Sequence, residues 1–206
     1  MSSEITVACV CVGIKYDWEY VEHLREAVLR HLRLPYRFTI ITDDTWPGWW
    51  GKMHLFEPGR LGGRVIYLDL DTLVIDSLLP LAYLPSGFYM LRDFLYPERC
   101  GSGVMVWDAG SDIANRLYNV WKSDPDEHMR RHALRGDQEF IEQHVDGPIE
   151  RLQDHVSGIV SVRVDCNRGA SRPPAASRLV CFHGAQKPHT MPEGSLLRQI
   201  WLGETC

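Results

Sequence analysis

Two carboxylates, Asp69 and Asp71, stand at i and i+2 directly behind an apolar run, Val65 to Leu68. Side chains two apart on an extended chain leave the same face, with Cα atoms roughly 6–7 Å apart. Two acids aimed into one small volume repel each other unless a cation lies between them, and hard divalent ions take such oxygens. The β-branched run ahead of them has the pattern of a buried strand. The acids therefore fall at the C-terminal end of a central strand, where open α/β sheets bind ligands. The alternative for an isolated Asp-x-Asp is a pair of loop carboxylates in a turn. The apolar strand in front and the Thr72-Leu-Val-Ile75 continuation behind favour a metal site. His183 follows a late apolar segment, and two carboxylates with one neutral imidazole suit a Mn²⁺-like ion better than Mg²⁺. Taken alone, that histidine is an ordinary solvated loop residue.

Two lysines could serve an anion beside such a metal. Lys52 is the only lysine between Lys15 and Lys122, and it is embedded in Trp46-Pro-Gly-Trp-Trp-Gly-Lys-Met-His-Leu-Phe56. A lone lysine is usually a solvated surface group; one among aromatics just ahead of the acid strand is a candidate phosphate contact. Lys187, four residues after His183 and stiffened by Pro188, would add positive charge against a diphosphate. Gly136-Asp-Gln-Glu139 opens a helical stretch, where Asp137 can be a plain N-cap with Gln138 exposed.

The elements that must position these groups follow from periodicity. Ile5 to Gly13 and Tyr36 to Thr42 have strand patterns, the first apolar enough to be buried on both faces as in a parallel sheet. Between them Asp17 can cap a helix whose Trp18, Val21, Leu24, Val28 and Leu32 recur at helical spacing. Strand, helix and strand in so short a span make a βαβ unit. A short helix is expected within Trp46 to Phe56, and a capped helical turn after Asp76. Gly87 to Asp93 and Gly103 to Asp108 are two further strands, with the loop from Phe94 to Ser102 bordering the pocket. Ser111 to Val145 is helical, with one stripe at Ile113, Leu117, Val120 and Trp121 and another at Phe140, Ile141 and Val145. Ile159 to Val164 and Arg178 to Phe182 are late strands, Val156 to Ser177 is an irregular pocket rim, and Trp201 closes a final helix. This alternation predicts an α/β fold, an α/β/α sandwich around a mixed, mainly parallel central sheet.

The 206 residues suffice for one well-buried domain, 1–206, and are short for two. Hydrophobic content of 45% and charged content of 24% are those of a soluble globular chain. A net charge of -5 with interspersed signs advertises no face for nucleic acid. No apolar run is long enough to span a bilayer, and the N-terminus, with Glu4 and no early Lys or Arg, makes a poor signal peptide. The six cysteines include no C-x-x-C pair, which points to free thiols and a cytoplasmic location.

Five stretches in order carry a family resemblance: Trp50-Gly-Lys-Met-His-Leu-Phe56, Val65 to Ile75, Gly101-Ser-Gly-Val-Met-Val-Trp-Asp108, Gly136-Asp-Gln138 and Phe182-His-Gly-Ala-Gln-Lys-Pro-His189. Together they resemble the motifs of family 8 glycosyltransferases, the group that includes glycogenin and the lipopolysaccharide galactosyltransferases. The resemblance implies a GT-A fold, a nucleotide-sugar donor (usually a uridine diphosphate sugar), Mn²⁺ with Mg²⁺ as the alternative, and retention of anomeric configuration. It implies Asp69, Asp71 and His183 as metal ligands. Asp69, Lys52 and Lys187 would bind the donor, with Gly184 in a turn facing its diphosphate. Asp137 and Gln138 correspond to the acid–amide pair near the reacting sugar, and Asp93 to an acid that contacts sugar hydroxyls. Departures are Gly101, where many members have Asn, and Leu70, where Ala is frequent. The chain is also short for the family, so an acceptor-binding or membrane-attaching extension is expected to be missing; the acceptor, a glycan or other group, is not legible. Two other readings remain at this stage. Asp-Leu-Asp-Thr also resembles the nucleophile motif of haloacid-dehalogenase-type phosphatases, in which the first Asp is phosphorylated. The second is a nucleotide-sugar-binding domain without catalysis.

Overall fold

Alternation of β-branched and apolar residues puts a side chain on each face of the sheet in turn. In the computed structural model, which describes residues 4–166 and 172–204, this pattern forms β1, Ile5–Val10, buried at all but its last position. Ile5, Val7 and Cys9 face one core cluster and Ala8 the other. Helix α1, Trp18–His31, buries Val21, Leu24 and Val28 as its spacing predicts. Trp18, expected on that stripe, is instead 51% exposed, and Asp17 occupies the N-cap position without making a side-chain capping bond. The first helical residue lies past the edge of the packed face, so the periodicity overran by one position. Strand β2, Arg37–Ile41, returns parallel to β1, completing the expected strand–helix–strand unit.

The acid-bearing strand is β3, Arg64–Leu68, wholly buried and parallel to β1 on its other side. Strand β4, Thr72–Val74, follows it in the chain; β5, Phe88–Arg92, pairs antiparallel with β6, Cys100–Asp108, which pairs antiparallel with β3. Strand β7, Ile149–Arg151, adds parallel to β5 and had no sequence signal. The order β2-β1-β3-β6-β5-β7 is a mixed sheet, and core clusters on both of its faces make the expected α/β/α sandwich.

The Thr72-Leu-Val continuation does not prolong the central sheet. The amide of Thr72 donates to the Asp69 carbonyl at 2.9 Å, which turns the chain. Strand β4 then joins β8, Ile159–Ser161, and β9, Leu179–Cys181, in a second sheet ordered β4-β9-β8. Leu73 and Val74 pack in the same cluster as Val21, Leu24 and Val28 of α1. The late strand expected at Ile159 to Val164 forms as β8, shortened to Ile159–Ser161, inside the stretch from Val156 to Ser177 expected as an irregular rim, of which residues 167–171 lie outside the described residues.

On the opposite face, Gly48–Phe56 is a 3₁₀ helix, while α2, Leu79–Ala82, the turn expected after Asp76, packs in the same cluster as α1. Three helices, not two, form between Ser111 and Val145: α3 (Asp112–Ser123), α4 (Pro125–Arg131) and α5 (Asp137–His144). The extra break arises because Asp124 accepts a hydrogen bond from the Glu127 amide and Pro125 begins α4. The chain closes with α6 (Leu152–His155), a 3₁₀ turn at Pro188–Thr190 and α7 (Leu196–Trp201). Cys9, Cys11, Cys100, Cys166 and Cys181 are free thiols. Among the described residues no helix is long and apolar enough to cross a membrane.

Candidate active site

The register between the two sheets explains how distant motifs meet. Thr72 of β4 lies opposite Cys181 of β9, so the residue before the first, Asp71, comes beside the residues after the second. Phe182 and His183 then border the same cleft as Asp69 and Asp71. Two contiguous cavities, of about 370 and 620 Å³, share Lys15, Trp49, Lys52, Asp69, Asp71 and His183. The smaller adds Asp93, Ser102, Asp137 and Gln138, and the larger adds Gly184 and Lys187. All nine residues selected from the sequence thus line one cleft.

Lys52 holds its centre. It is 7% exposed, and its ammonium pairs with Asp69 Oδ1 at 3.0 Å and Asp137 Oδ2 at 3.2 Å. It also donates to Ser102 Oγ at 3.1 Å, while the Ser102 hydroxyl donates to Asp137 Oδ2 at 2.5 Å. Burial alone would push the Lys52 ammonium down, but the carboxylates of Asp137 and Asp69 outweigh it and hold it above its ordinary range. Burial raises the Asp69 carboxyl, with Lys52 opposing and Asp71 adding to the rise. Tyr67, one alternation earlier on the strand, donates to Asp69 Oδ1 at 2.5 Å.

A second lysine–acid pair lies beside the first. Lys187 donates to Asp71 Oδ2 at 2.6 Å, and the Tyr16 hydroxyl donates to the same oxygen at 2.7 Å. Burial, and then the neighbouring Lys187, lower the Lys15 ammonium. Asp93 borders the cavity, and its Oδ1 accepts from the Leu95 and Tyr96 amides at 2.8 and 2.9 Å, which shapes the loop between β5 and β6. Gly184 adopts φ +84°, a conformation that suits glycine in a tight turn.

The plain N-cap reading of Asp137 does not hold. Gly136 is the cap, at φ +66° and ψ -143°, and Asp137 is the first helical residue, 5% exposed against Lys52. A Cβ on Gly136 would come within 2.4 Å of the Trp49 indole nitrogen. That backbone region is nearly closed to side-chain-bearing residues, with a penalty of about 1–3 kcal/mol. Gly136→Ala is therefore expected to lose at least about 1–3 kcal/mol of stability, read from urea denaturation. An unchanged midpoint would show that the loop relaxes freely.

The donor set suits a divalent cation. Among the described residues Asp69 Oδ2 and Asp71 Oδ1 make no hydrogen bond, so each acid keeps one oxygen for a cation. His183 is held by a 2.6 Å bond between Nε2 and Ser161 Oγ and stacks on Phe94, which leaves Nδ1 for a ligand. Burial, and then Arg163, lower its imidazole below the ordinary range and keep it neutral near pH 7. The three groups are not drawn to coordinating distance here. Among the described residues the one trio whose donor atoms approach within 4.8 Å of one another is His128, His132 and His144. Lys187 on Asp71 is what a cation would have to displace.

Lys15, Tyr16, Tyr67, Ser102 and Ser161 belong to this arrangement and were not found from sequence. Tyr67 was findable, because it shares the strand face of Asp69, and Ser102 lies inside the Gly101–Asp108 motif. Tyr16 and Ser161 had no local signal.

A mixed, mainly parallel central sheet flanked by helices is the architecture of GT-A-type nucleotide-diphospho-sugar transferases. The chain has the fold of family-8-like glycosyltransferases. It superposes on the galactosyltransferase LgtC in complex with donor and acceptor sugar analogues, with TM-score 0.63 at 11% identity, over 96% of this chain and 95% of that one. The glycosyltransferase GlyE of Streptococcus pneumoniae TIGR4 gives TM-score 0.63 at 13% identity, covering 96% of this chain. This chain spans 59% of GlyE. The bifunctional glycosyltransferase WbbM gives TM-score 0.57 at 13% identity, over 97% of this chain and 49% of that one. No family model matches the sequence, and no curated protein does. At such identities the likeness establishes the fold.

Proposed function

We propose that this chain transfers a sugar from a nucleotide diphosphate sugar, a uridine diphosphate sugar as its motifs imply, to a glycan or other acceptor. Asp69, Asp71 and His183 would hold Mn²⁺, or Mg²⁺ less well. The observation that carries this reading is the cleft itself. Five segments spread from Lys52 to Lys187 contribute acids, lysines and an imidazole to one concave surface at the strand ends.

A bound divalent ion supplies Lewis-acid stabilisation to a departing nucleoside diphosphate. The chain's own groups do the rest. Lys187 moves from Asp71 to the diphosphate, and Lys52 adds positive charge from a fixed, buried position between Asp69 and Asp137. The turn at Gly184 presents backbone to the phosphates. Asp93 contacts sugar hydroxyls, Asp137 and Gln138 lie near the reacting sugar, and the Gln138 carbonyl supports positive charge developing on it. With retention of configuration, no strong general base is asked of the protein.

The phosphatase reading loses ground on the same geometry. The carboxylate that would be phosphorylated, Asp69, is pinned by Lys52 and Tyr67, and the fold is a different one. Free thiols favour a reducing compartment such as the cytoplasm.

The test is a thermal-shift panel of nucleotide sugars with and without Mn²⁺, followed by donor hydrolysis. One diphosphate sugar should raise the melting temperature only with metal present, since a ligand at about 100 times its Kd adds roughly 2.7 kcal/mol. Stabilisation without turnover on long incubation would make the chain a binding domain, and no stabilisation by any donor would remove the proposal.

A further inference from the structure

Outside the cleft, three histidines converge where α4 meets the end of α5. His128 lies on α4, His132 is its C-cap residue, and His144 is the last residue of α5. One donor atom from each ring lies within 4.8 Å of those of the other two. His132 is 2% exposed and His128 9%.

Their hydrogen bonds fix which nitrogens remain. His128 Nε2 lies 2.9 Å from the Val120 carbonyl, and His144 Nδ1 lies 2.9 Å from the Phe140 carbonyl. A carbonyl only accepts, so both nitrogens carry protons and the opposite nitrogens carry lone pairs. His132 Nδ1 faces the Glu139 carboxylate at 3.7 Å. His128 Nδ1 and His132 Nε2 are buried with no hydrogen-bond partner among the described residues. Leaving two buried ring nitrogens orphaned is unfavourable unless something else binds them. The pattern of one nitrogen toward a carbonyl or carboxylate and the other left free is that of metal-ligating imidazoles.

We propose that His128, His132 and His144 form a second metal site that takes one borderline divalent cation of the zinc type. An all-imidazole donor set selects Zn²⁺, Co²⁺ or Ni²⁺ over the Mn²⁺ and Mg²⁺ that carboxylates prefer. Tetrahedral ligands at about 2.0–2.1 Å from zinc lie roughly 3.3 Å apart, so capture draws the rings inward by small rotations. Three protein ligands leave the fourth position to water. The site ties the end of α4 to α5, whose first turn delivers Asp137 and Gln138 to the cleft. Its role is structural: it fixes the helix that carries those two residues.

The experiment uses metal-free full chain carrying Asp69→Asn and Asp71→Asn, so that the cleft acids contribute nothing and failure of the glycosyltransferase reading leaves this result untouched. Titration with Co²⁺ should give the intense visible absorption of a tetrahedral site at one equivalent, displaced by Zn²⁺, with a rise in melting temperature. Adding His144→Ala should abolish the absorption and weaken Co²⁺ binding at least about 100-fold, since loss of an outer-shell partner alone weakens metal sites by about 10–100-fold. Should that variant not fold, the imidazole ¹⁵N resonances of the parent read the same point: His128, His132 and His144 shift together with one equivalent of Zn²⁺. An octahedral-type weak spectrum, absorption that survives His144→Ala, or resonances that do not move would overturn the site.

Discussion

Lys52→Met is expected to lose about 3–5 kcal/mol of stability at neutral pH, because removing one partner of a buried ion pair leaves the other charge uncompensated. Here two charges are stranded, since the same ammonium serves Asp69 at 3.0 Å and Asp137 at 3.2 Å. Methionine keeps most of the volume, so the loss reports charge and hydrogen bonding more than packing. The pH dependence separates this account from a packing defect. In the parent, the folded-state value of Lys52 is raised, so its contribution is complete below the ordinary lysine value of 10.5 and fades only as pH climbs through the raised one. In the variant, Asp69, already raised by burial, loses the charge that opposed the rise. The folded state then holds a proton that the unfolded state releases, and the variant regains stability as pH falls from neutrality toward 3.8, the ordinary Asp value. Urea denaturation from pH 4 to pH 8 measures both curves. A constant gap between parent and variant across that range would mean that charge is not what Lys52 contributes.

Asp71→Asn and Lys187→Met should move metal binding in opposite directions. Asparagine preserves the shape of Asp71 but removes the anionic oxygens, so affinity for Mn²⁺ and for Mn²⁺–UDP should fall at least about 10–100-fold. Lys187 donates to Asp71 at 2.6 Å and competes with a cation for it. Its removal should therefore tighten Mn²⁺ alone while weakening Mn²⁺–UDP, because the diphosphate loses a positive partner. Calorimetry with Mn²⁺, and with UDP at saturating Mn²⁺, reads the two signs separately. If Lys187→Met weakens both, the lysine supports the acid rather than competing for it. If Asp71→Asn leaves both unchanged, the metal lies elsewhere.

Several features that make these predictions possible were visible in the chain. Val65 to Leu68 announced a buried strand and Asp69 and Asp71 a shared face, because side-chain alternation is a local property. Lys52 stood out through its aromatic surroundings as a candidate phosphate contact; its burial between Asp69 and Asp137 was decided by the structure. Asp137 was different. Its position after a glycine looked like a cap, and only the left-handed conformation of Gly136 moves the cap back one residue and turns the acid into the cleft. Sequence patterning also missed β7 and gave β4 no strand or sheet of its own. Both are three-residue strands whose pairing partners lie far away in the chain, and too short to show a period.

What the sequence determined by itself was the alternation of elements, the acid pair at a strand's end and the residue types available to meet it. Tertiary structure decided which of those types meet. The register of Thr72 against Cys181 brings His183 to the acids, Ser161 of the neighbouring strand holds that imidazole, and the α4–α5 junction gathers His128, His132 and His144. The physical reason is that period and composition are set over a few neighbouring residues. Pairing between segments a hundred residues apart depends instead on which register buries the most apolar surface, and that is a property of the whole packed chain.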